Sequence, residues 1–147
     1  MKLVVQRVTS SSLHIEGALF SMIKKGLVVL IGISKSDSEN VIDKLVKKLL
    51  NLRIFEDENL KMNKSILDID GEILLVSQFT LYADTKRGNR PSFIEAANPK
   101  NARLLYNKFL EKLNVNLGDK VKAGKFGANM QIELVNDGPV TIIIENS

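Results

Sequence analysis

Unbroken and alternating apolar runs predict the strands of this chain. Residues 26–34 and 71–81 each contain an unbroken apolar stretch, which is typical of a strand buried on both faces. Shorter or alternating apolar segments predict the remaining strands, at residues 2–8, 12–16, 53–55, 125–135 and 140–144.

Apolar positions three and four residues apart predict two helices. The first opens at Ser36–Glu39, whose spacing is that of a capping box. The second opens at Asn98-Pro99, where an N-cap residue precedes a first-turn proline. The apolar stripes of the two helices are Ile42, Leu45, Val46, Leu49 and Leu52 in the first, and Ala102, Leu105, Tyr106, Phe109 and Leu113 in the second.

These elements form a single domain, residues 1–147, with three strands before the first helix, two between the helices and the rest after the second helix. Two helices cannot cover both faces of so much sheet, so sheet must also pack on sheet. We expect a layered α/β domain in which two small sheets pack together and the two helices cover one side.

The segment Asn136–Gly138 predicts a hairpin turn between the last two strands, because it lies between apolar runs. Pro139 follows at once, and proline cannot donate a ladder hydrogen bond. Either the proline stiffens the turn, or the Gly138-Pro139 pair is presented to another group. Arg7 is similarly unusual, since it lies inside an apolar strand. It either extends to solvent or is held by backbone carbonyls, such as those around Gly138.

Composition narrows the possible chemistry. The 147 residues include no cysteine and one histidine, His14, which excludes disulfides, thiol nucleophiles and multi-histidine metal sites. The net charge of +4 permits a polyanionic partner. No segment has the pattern of a signal peptide or a membrane span, so we expect a soluble, cytoplasmic protein.

Two neighbouring segments are candidates for binding and catalysis. Ser77, Gln78, Phe79 and Thr80 end an apolar strand, which is where α/β folds form ligand sites, and their backbone N–H groups could face an oxyanion. Alternatively, these residues simply end the strand. The loop that follows carries a basic cluster suited to phosphate contacts, unless it is merely a solvated surface: Lys86, Arg87 and Arg90.

Together these segments resemble the D-aminoacyl-tRNA deacylase family over nearly the whole chain. The pairing of Ser-Gln-Phe-Thr with Gly-Pro-Val-Thr is far more specific than either tetrapeptide alone. One departure is Lys125, where the family more often has arginine. The motifs that carry the resemblance are QRV (6–8), NLRIF (51–55), SQFTLYADT (77–85), RPSF (90–93), GKFGANM (124–130) and NDGPVT (136–141).

The resemblance implies hydrolysis of the ester between a D-amino acid and the 3′ end of tRNA, without a metal or organic cofactor. It also implies a homodimer, in which a cis Gly138-Pro139 peptide enters the partner's active site and excludes L side chains, while glycine still fits. Arg7 would brace that peptide. Met130 would belong to the substrate site, and the backbone of residues 77–80 would bind the ester.

Two mechanisms remain open, as do two other functions. In one mechanism Thr80 is a nucleophile, although no base is evident beside it. In the other, the substrate's 2′-hydroxyl helps to activate water. The missing base favours the mechanism that uses the 2′-hydroxyl. The chain could instead be a non-catalytic tRNA- or RNA-binding module, or a hydrolase of small free esters.

Overall fold

Eight strands and two helices form the fold in a computed structural model that describes residues 1–146. The helices are α1 (Ile42–Leu50) and α2 (Pro99–Leu117). The strands are β1 (Lys2–Ile15), β2 (Ala18–Ile23), β3 (Gly26–Gly32), β4 (Phe55–Glu56), β5 (Met62–Lys64), β6 (Glu72–Ser77), β7 (Val121–Ala123) and β8 (Met130–Glu145).

Six of these strands form one sheet organised around β1. The order is β2-β1-β3-β6-β7, and β8 also pairs with β1. Strand β1 is long enough to pair antiparallel with β3 through its first half and with β2 through its second half. Strands β3, β6 and β7 run parallel, so the carboxyl ends of β3 and β6 lie at the same edge. The short strands β4 and β5 form a separate antiparallel pair.

Both faces of the sheet are buried at β3 and β6, as their unbroken apolar runs predict. Alternate residues such as Val29 and Leu75 pack on the two helices, whereas Val28 and Leu74 belong to a second core with β1 and β2. The predicted α/β class with two helices is confirmed. The expected packing of sheet on sheet takes the form of a single curled, six-stranded sheet.

The second helix begins as predicted, but the first does not. In α2 the Asn98 side chain accepts a hydrogen bond from the Asn101 N–H at 3.0 Å, so Asn98 is a true N-cap. The capping-box prediction at residues 36–39 is wrong. Asp37 accepts instead from the Ser34 N–H at 2.7 Å, and a short 3₁₀ turn at Glu39–Val41 precedes α1. A local hydrogen bond thus competed with the cap.

The predicted hairpin at Asn136–Gly138 is also wrong, because β8 continues through it as one strand. Residues on both sides pair antiparallel with β1: Gln6 faces Thr141 and Val8 faces Asn136. The intervening residues form a wide bulge. Asn136 closes this bulge by donating from Nδ2 to the Val140 carbonyl at 2.9 Å and the Arg7 carbonyl at 3.0 Å. The turn-forming residues therefore make a local bulge and do not reverse the direction of the strand.

Other strand boundaries also differ from the prediction. Residues 2–8 and 12–16 belong to the one strand β1, and β8 begins at Met130 rather than at residue 125. Strands β2, β5 and β7 were not predicted. In β2 several exposed positions are apolar, such as Leu19 and Met22. The strand therefore lacks the alternation of apolar and polar residues that would have predicted it.

Candidate functional site

A cavity of about 610 Å³ lies at the carboxyl ends of β3 and β6. Its volume is within the range of about 300–1,000 Å³ that is usual for small-ligand sites. None of the lining residues is ionisable, so the walls combine apolar groups with a few neutral polar ones. The lining consists of Ile31, Ile33, Val76, Ser77, Gln78, Phe79, Phe93, Ala96, Ala97, Pro99, Ala102, Phe126, Gly127, Ala128, Asn129, Met130 and Ile132.

The polar part of this wall is the turn that follows β6. The Gln78 N–H donates to the Ile31 carbonyl at 2.8 Å, which ties the end of β6 to β3. A 3₁₀ turn at Phe79–Tyr82 begins there, and its first backbone bond runs from the Leu81 N–H to the Gln78 carbonyl at 3.3 Å. The N–H groups of Phe79 and Thr80 precede that bond and are not used by the turn.

The four candidate residues of this turn do not all occupy the cavity wall. Ser77, Gln78 and Phe79 line the cavity, whereas Thr80 is exposed and outside the lining. The Thr80 hydroxyl accepts a hydrogen bond from the Gln78 amide. Thr80 is therefore next to the cavity and held by a residue that lines it.

Aromatic side chains build the apolar part of the wall. Phe79 and Phe93 meet edge to face, with ring centroids 5.1 Å apart. Phe126 packs against Tyr106, whose hydroxyl donates to the Leu75 carbonyl at 3.1 Å. Burial raises the pKa of Tyr106 to about 12, so this phenol remains neutral and serves as a structural support.

The sequence predicts Met130 as a site residue but does not predict the residues immediately before it. Gly127, Ala128 and Asn129 line the cavity, although the alternating pattern predicted a strand there. The positive φ of Gly127, +78°, breaks the alternation. At Gly124, a Cβ would lie 2.5 Å from Met130 Sδ, so this glycine makes room for Met130. The glycines at 124 and 127 were the sequence features that could have indicated that this segment lines a cavity and is not a strand.

Arg7 and the Gly138-Pro139 pair form a second polar cluster. Arg7 is only 5% exposed; its Nη1 donates to the Ile54 carbonyl at 2.7 Å and its Nε to the Asp137 carbonyl at 3.2 Å. The Asp137 carboxylate lies 3.3 Å from Arg7 Nε. Arg7 is thus held by backbone carbonyls beside Gly138, as one of the two alternatives predicted. The Gly138–Pro139 peptide bond is cis, and both residues are exposed.

This polar cluster lies far from the cavity of its own chain. On β3, Arg7 pairs with Leu27, whereas the cavity residue Ile31 pairs with Leu3. Four residues of strand correspond to about 13 Å. Neither Arg7 nor the Gly138-Pro139 pair lines the cavity. The structure therefore does not bring the two conspicuous motifs of the sequence together within one chain.

The basic residues Lys86, Arg87 and Arg90 lie on an exposed loop. Reciprocal backbone hydrogen bonds of 2.8 and 2.9 Å between Asp84 and Ser92 close the base of this loop. Within residues 1–146, none of the three cations is paired with a carboxylate.

The same residues contain no group of three or more acidic, histidine or cysteine side chains that could hold a metal ion. No helix in this part of the chain is long and apolar enough to cross a membrane.

Comparisons with known proteins agree on one family. Residues 4–145 match the family model described as D-Tyr-tRNA(Tyr) deacylase. The chain is 54% identical over 145 residues to a D-aminoacyl-tRNA deacylase of Bacteroides fragilis strain YCH46, covering 99% of this chain and 97% of that protein. A D-aminoacyl-tRNA deacylase of Clostridium botulinum strain Loch Maree is 53% identical over 146 residues, with the same coverage.

Solved structures share the fold. One described as c-Myc DNA Unwinding Element Binding Protein superimposes with a TM-score of 0.95 at 47% identity, covering 100% of this chain and 99% of that one. Another, described as a probable eukaryotic D-amino acid tRNA deacylase, has a TM-score of 0.83 at 20% identity, with 97% of each chain covered. The second likeness shows the fold alone.

Proposed function

The chain belongs to the D-Tyr-tRNA(Tyr) deacylase family, and from this premise we propose how its cavity hydrolyses a D-aminoacyl-tRNA. Water attacks the ester carbonyl, the bond from that carbon to the ribose oxygen breaks, and the ribose oxygen takes a proton. The products are a D-amino acid and tRNA. The observation that carries the proposal is the neutral cavity beside the turn at Phe79–Tyr82, whose first N–H groups are unused by the turn.

Those N–H groups would stabilise the developing oxyanion. An aminoacyl ester is already activated, so positioning and oxyanion stabilisation are the main contributions that the protein must make. The N–H groups of Phe79 and Thr80 are the candidates, because both lie in the turn beside the cavity. Phe79 and Phe93 would restrict the position of the substrate from one side.

The substrate's own 2′-hydroxyl is the better candidate for activating water. No lining residue is a histidine, lysine or carboxylate, so the cavity offers no general base. Thr80 lacks an adjacent base as well, and its hydroxyl is engaged by Gln78. This arrangement supports water attack over a Thr80 nucleophile.

A tRNA that ends in 2′-deoxyadenosine tests this mechanism. We expect its D-aminoacyl ester to be hydrolysed about 100-fold more slowly, which is the usual contribution of acid-base assistance. A Thr80→Val enzyme should hydrolyse the normal substrate within a few-fold of the wild-type rate. The reverse pair of results would support Thr80 as the nucleophile.

Chirality would be read by a cavity shared between two subunits. The exposed Gly138-Pro139 pair of one subunit would enter the partner's cavity, where its carbonyls hold the substrate's ammonium group. An L side chain would collide with this wall, whereas a D side chain points away and glycine has none. Three features support this arrangement: the exposure of the pair, its buried brace Arg7, and the absence of the pair from the lining of its own chain's cavity.

Mixed dimers test the shared site. One chain carries Ala128→Trp, which fills its cavity, and the other carries Gly138→Val, which distorts its wall. The Ala128→Trp homodimer should be inactive, and the Gly138→Val homodimer should be about 100-fold slower than wild type. A purified heterodimer should regain one working site, because one cavity and one wall remain intact in the same pair. An inactive heterodimer that is folded and dimeric would contradict the shared site.

A single assay separates the deacylase from its alternatives. Purified protein is incubated with D-aminoacyl-tRNA, with the L form, with glycyl-tRNA and with a free D-amino acid ester. We expect hydrolysis of D-aminoacyl-tRNA and of glycyl-tRNA. We also propose that this activity is located in the cytoplasm. A non-catalytic nucleic-acid-binding module would hydrolyse none of the four, and a hydrolase of small esters would prefer the last.

A further inference from the structure

Arg103 lies at the edge of the cavity without being part of its lining. Its guanidinium carbon is 5.1 Å from the centroid of the Phe126 ring, and Phe126 lines the cavity. On α2, Arg103 follows Ala102 and lies one turn after Pro99, and both of these residues also line the cavity. Arg103 itself is exposed. A cation is therefore held at the mouth of a cavity that has no charge of its own.

Within residues 1–146, the charge of Arg103 is not neutralised by a carboxylate. Two other cations of the same helix have acidic partners: Lys108 pairs with Glu39, and Lys112 pairs with Asp43 at 3.0 Å. In the described part of the chain, residues 1–146, no carboxylate lies within 4.0 Å of Arg103. The aromatic contact with Phe126 orients the guanidinium but leaves its positive charge available.

We infer that Arg103 binds the phosphodiester of the terminal nucleotide of the tRNA substrate. This inference rests on the proposed function, because it assigns the phosphate of the same substrate. The uncharged cavity suits the aminoacyl end, while a phosphate would have to remain at the mouth, near solvent and a cation. A guanidinium is planar and can donate two parallel hydrogen bonds to a phosphate, which suits this position.

Arg103 would then help to distinguish tRNA-borne esters from free ones. The phosphate contact exists in the ground state and in the transition state alike, so it contributes binding and not chemistry. Loss of the contact should raise the KM for charged tRNA and leave kcat unchanged. For a substrate that lacks the phosphate, neither KM nor kcat should change.

The test compares two substrates that carry the same ester: D-aminoacyl-tRNA and 3′-O-(D-aminoacyl)adenosine, which has no phosphate. For Arg103→Gln we expect the KM for the tRNA to rise about ten-fold, which is typical for loss of a charge-assisted hydrogen bond. The adenosine ester should be hydrolysed at a rate within two-fold of wild type. Arg103→Lys should restore part of the tRNA affinity, since it keeps the charge without the planar fork.

The matched control is Lys44→Gln, which removes the same charge from an exposed residue of α1. It should leave the kinetics with both substrates unchanged. Equal losses with both substrates in Arg103→Gln would overturn the inference, because Arg103 would then act by shaping the wall at Phe126. Unchanged kinetics with both substrates would overturn it as well.

Binding of uncharged tRNA separates this inference from the proposed function. Arg103→Gln should weaken that binding and flatten its dependence on the logarithm of salt concentration by about 0.7, the slope for one phosphate of a single strand. If wild-type protein hydrolysed no aminoacyl-tRNA, the proposed function would fail, and the binding measurement would still decide the phosphate contact. Unchanged binding would refute it.

Discussion

The two ends of β3 are stabilised in different ways. At its carboxyl end, the cavity is built from apolar side chains and backbone hydrogen bonds, with one buried phenol beneath it. At its amino end, the Gly138-Pro139 bulge depends on a buried guanidinium and on the amide of Asn136. Apolar packing loses stability gradually as atoms are removed, whereas a buried polar cluster fails abruptly when one partner leaves the others unsatisfied.

This difference suits the roles proposed for the two ends. A cavity that accepts many D side chains needs a neutral wall with few directional contacts. A wall that excludes L side chains must instead keep its carbonyls in a fixed position, which hydrogen bonds to a buried cation provide. Single substitutions can alter one end at a time.

The largest effect is expected at Gly138. Its φ is +122°, and a Cβ there would lie 2.9 Å from Val140 Cγ2 and 3.0 Å from Arg7 Nη2. Gly138→Val should lower the free energy of unfolding by about 1–3 kcal/mol, the range for strained backbone. Hydrolysis of D-aminoacyl-tRNA should fall about 100-fold, equivalent to about 2.7 kcal/mol, and the ratio of D to L rates should shrink.

Gly118→Val is the control for backbone strain. Gly118 also has a positive φ, +59°, but a Cβ there meets nothing within 4 Å. This variant should lose some stability and keep the D to L ratio of wild type. A normal ratio in Gly138→Val would contradict the proposed chiral wall.

Arg7→Met should produce the next largest effect. The substitution removes a buried cation and leaves the Ile54 and Asp137 carbonyls without their donor. We expect the free energy of unfolding in urea to fall by about 2 kcal/mol, because two carbonyls are left without a charged donor. Arg53→Met is matched to it, because Arg53 also donates to a carbonyl, that of Asn63 at 3.1 Å, but is exposed. Its loss should be below about 1 kcal/mol; equal losses would show that burial is not decisive.

Tyr106→Phe should affect the cavity end more weakly, and in a pH-dependent way. Removing the hydrogen bond to the Leu75 carbonyl should cost about 1 kcal/mol at pH 8. Because the pKa of Tyr106 is raised to about 12, this group stabilises the fold below the unfolded pKa near 10, and that stability is lost as the pH rises towards 12.

The stability advantage of wild type over Tyr106→Phe should therefore disappear and then slightly reverse at high pH. By pH 11, wild type should have lost about 1.4 kcal/mol that the phenylalanine variant does not lose. Urea unfolding at pH 8 and pH 11 measures both values. A constant difference would mean that Tyr106 does not carry the shifted pKa.

The smallest effects are expected on the basic loop, which belongs to neither end. Replacing Lys86, Arg87 or Arg90 singly by Gln should leave stability unchanged, because all three are exposed. Each change should weaken tRNA binding slightly and flatten the salt dependence by about 0.7–0.9. The loss should be similar for different tRNA species if the contacts are to phosphates. Loss of one species with retention of another would instead indicate base contacts.

Local patterns along the chain were enough to predict the helices' buried faces, the two doubly buried strands and the family. The N-cap at Asn98 depends only on residues close to it in sequence. The unbroken apolar runs of β3 and β6 indicate burial on both faces, whatever the position of these strands in the sheet. Each motif that carries the family resemblance is likewise a contiguous stretch of sequence, such as residues 77–85 and 136–141.

Only the tertiary structure decided how the strands pair and which residues meet. The signal at Asn136–Gly138 is consistent with a hairpin or a bulge, and the choice depends on β1, which can pair with both halves of β8. The cavity likewise gathers residues from β3, β6, the start of α2 and the segment before β8. Local propensity acts over a few residues, whereas pairing and cavities depend on which distant apolar faces can be buried together, and that is determined only when the whole sheet forms.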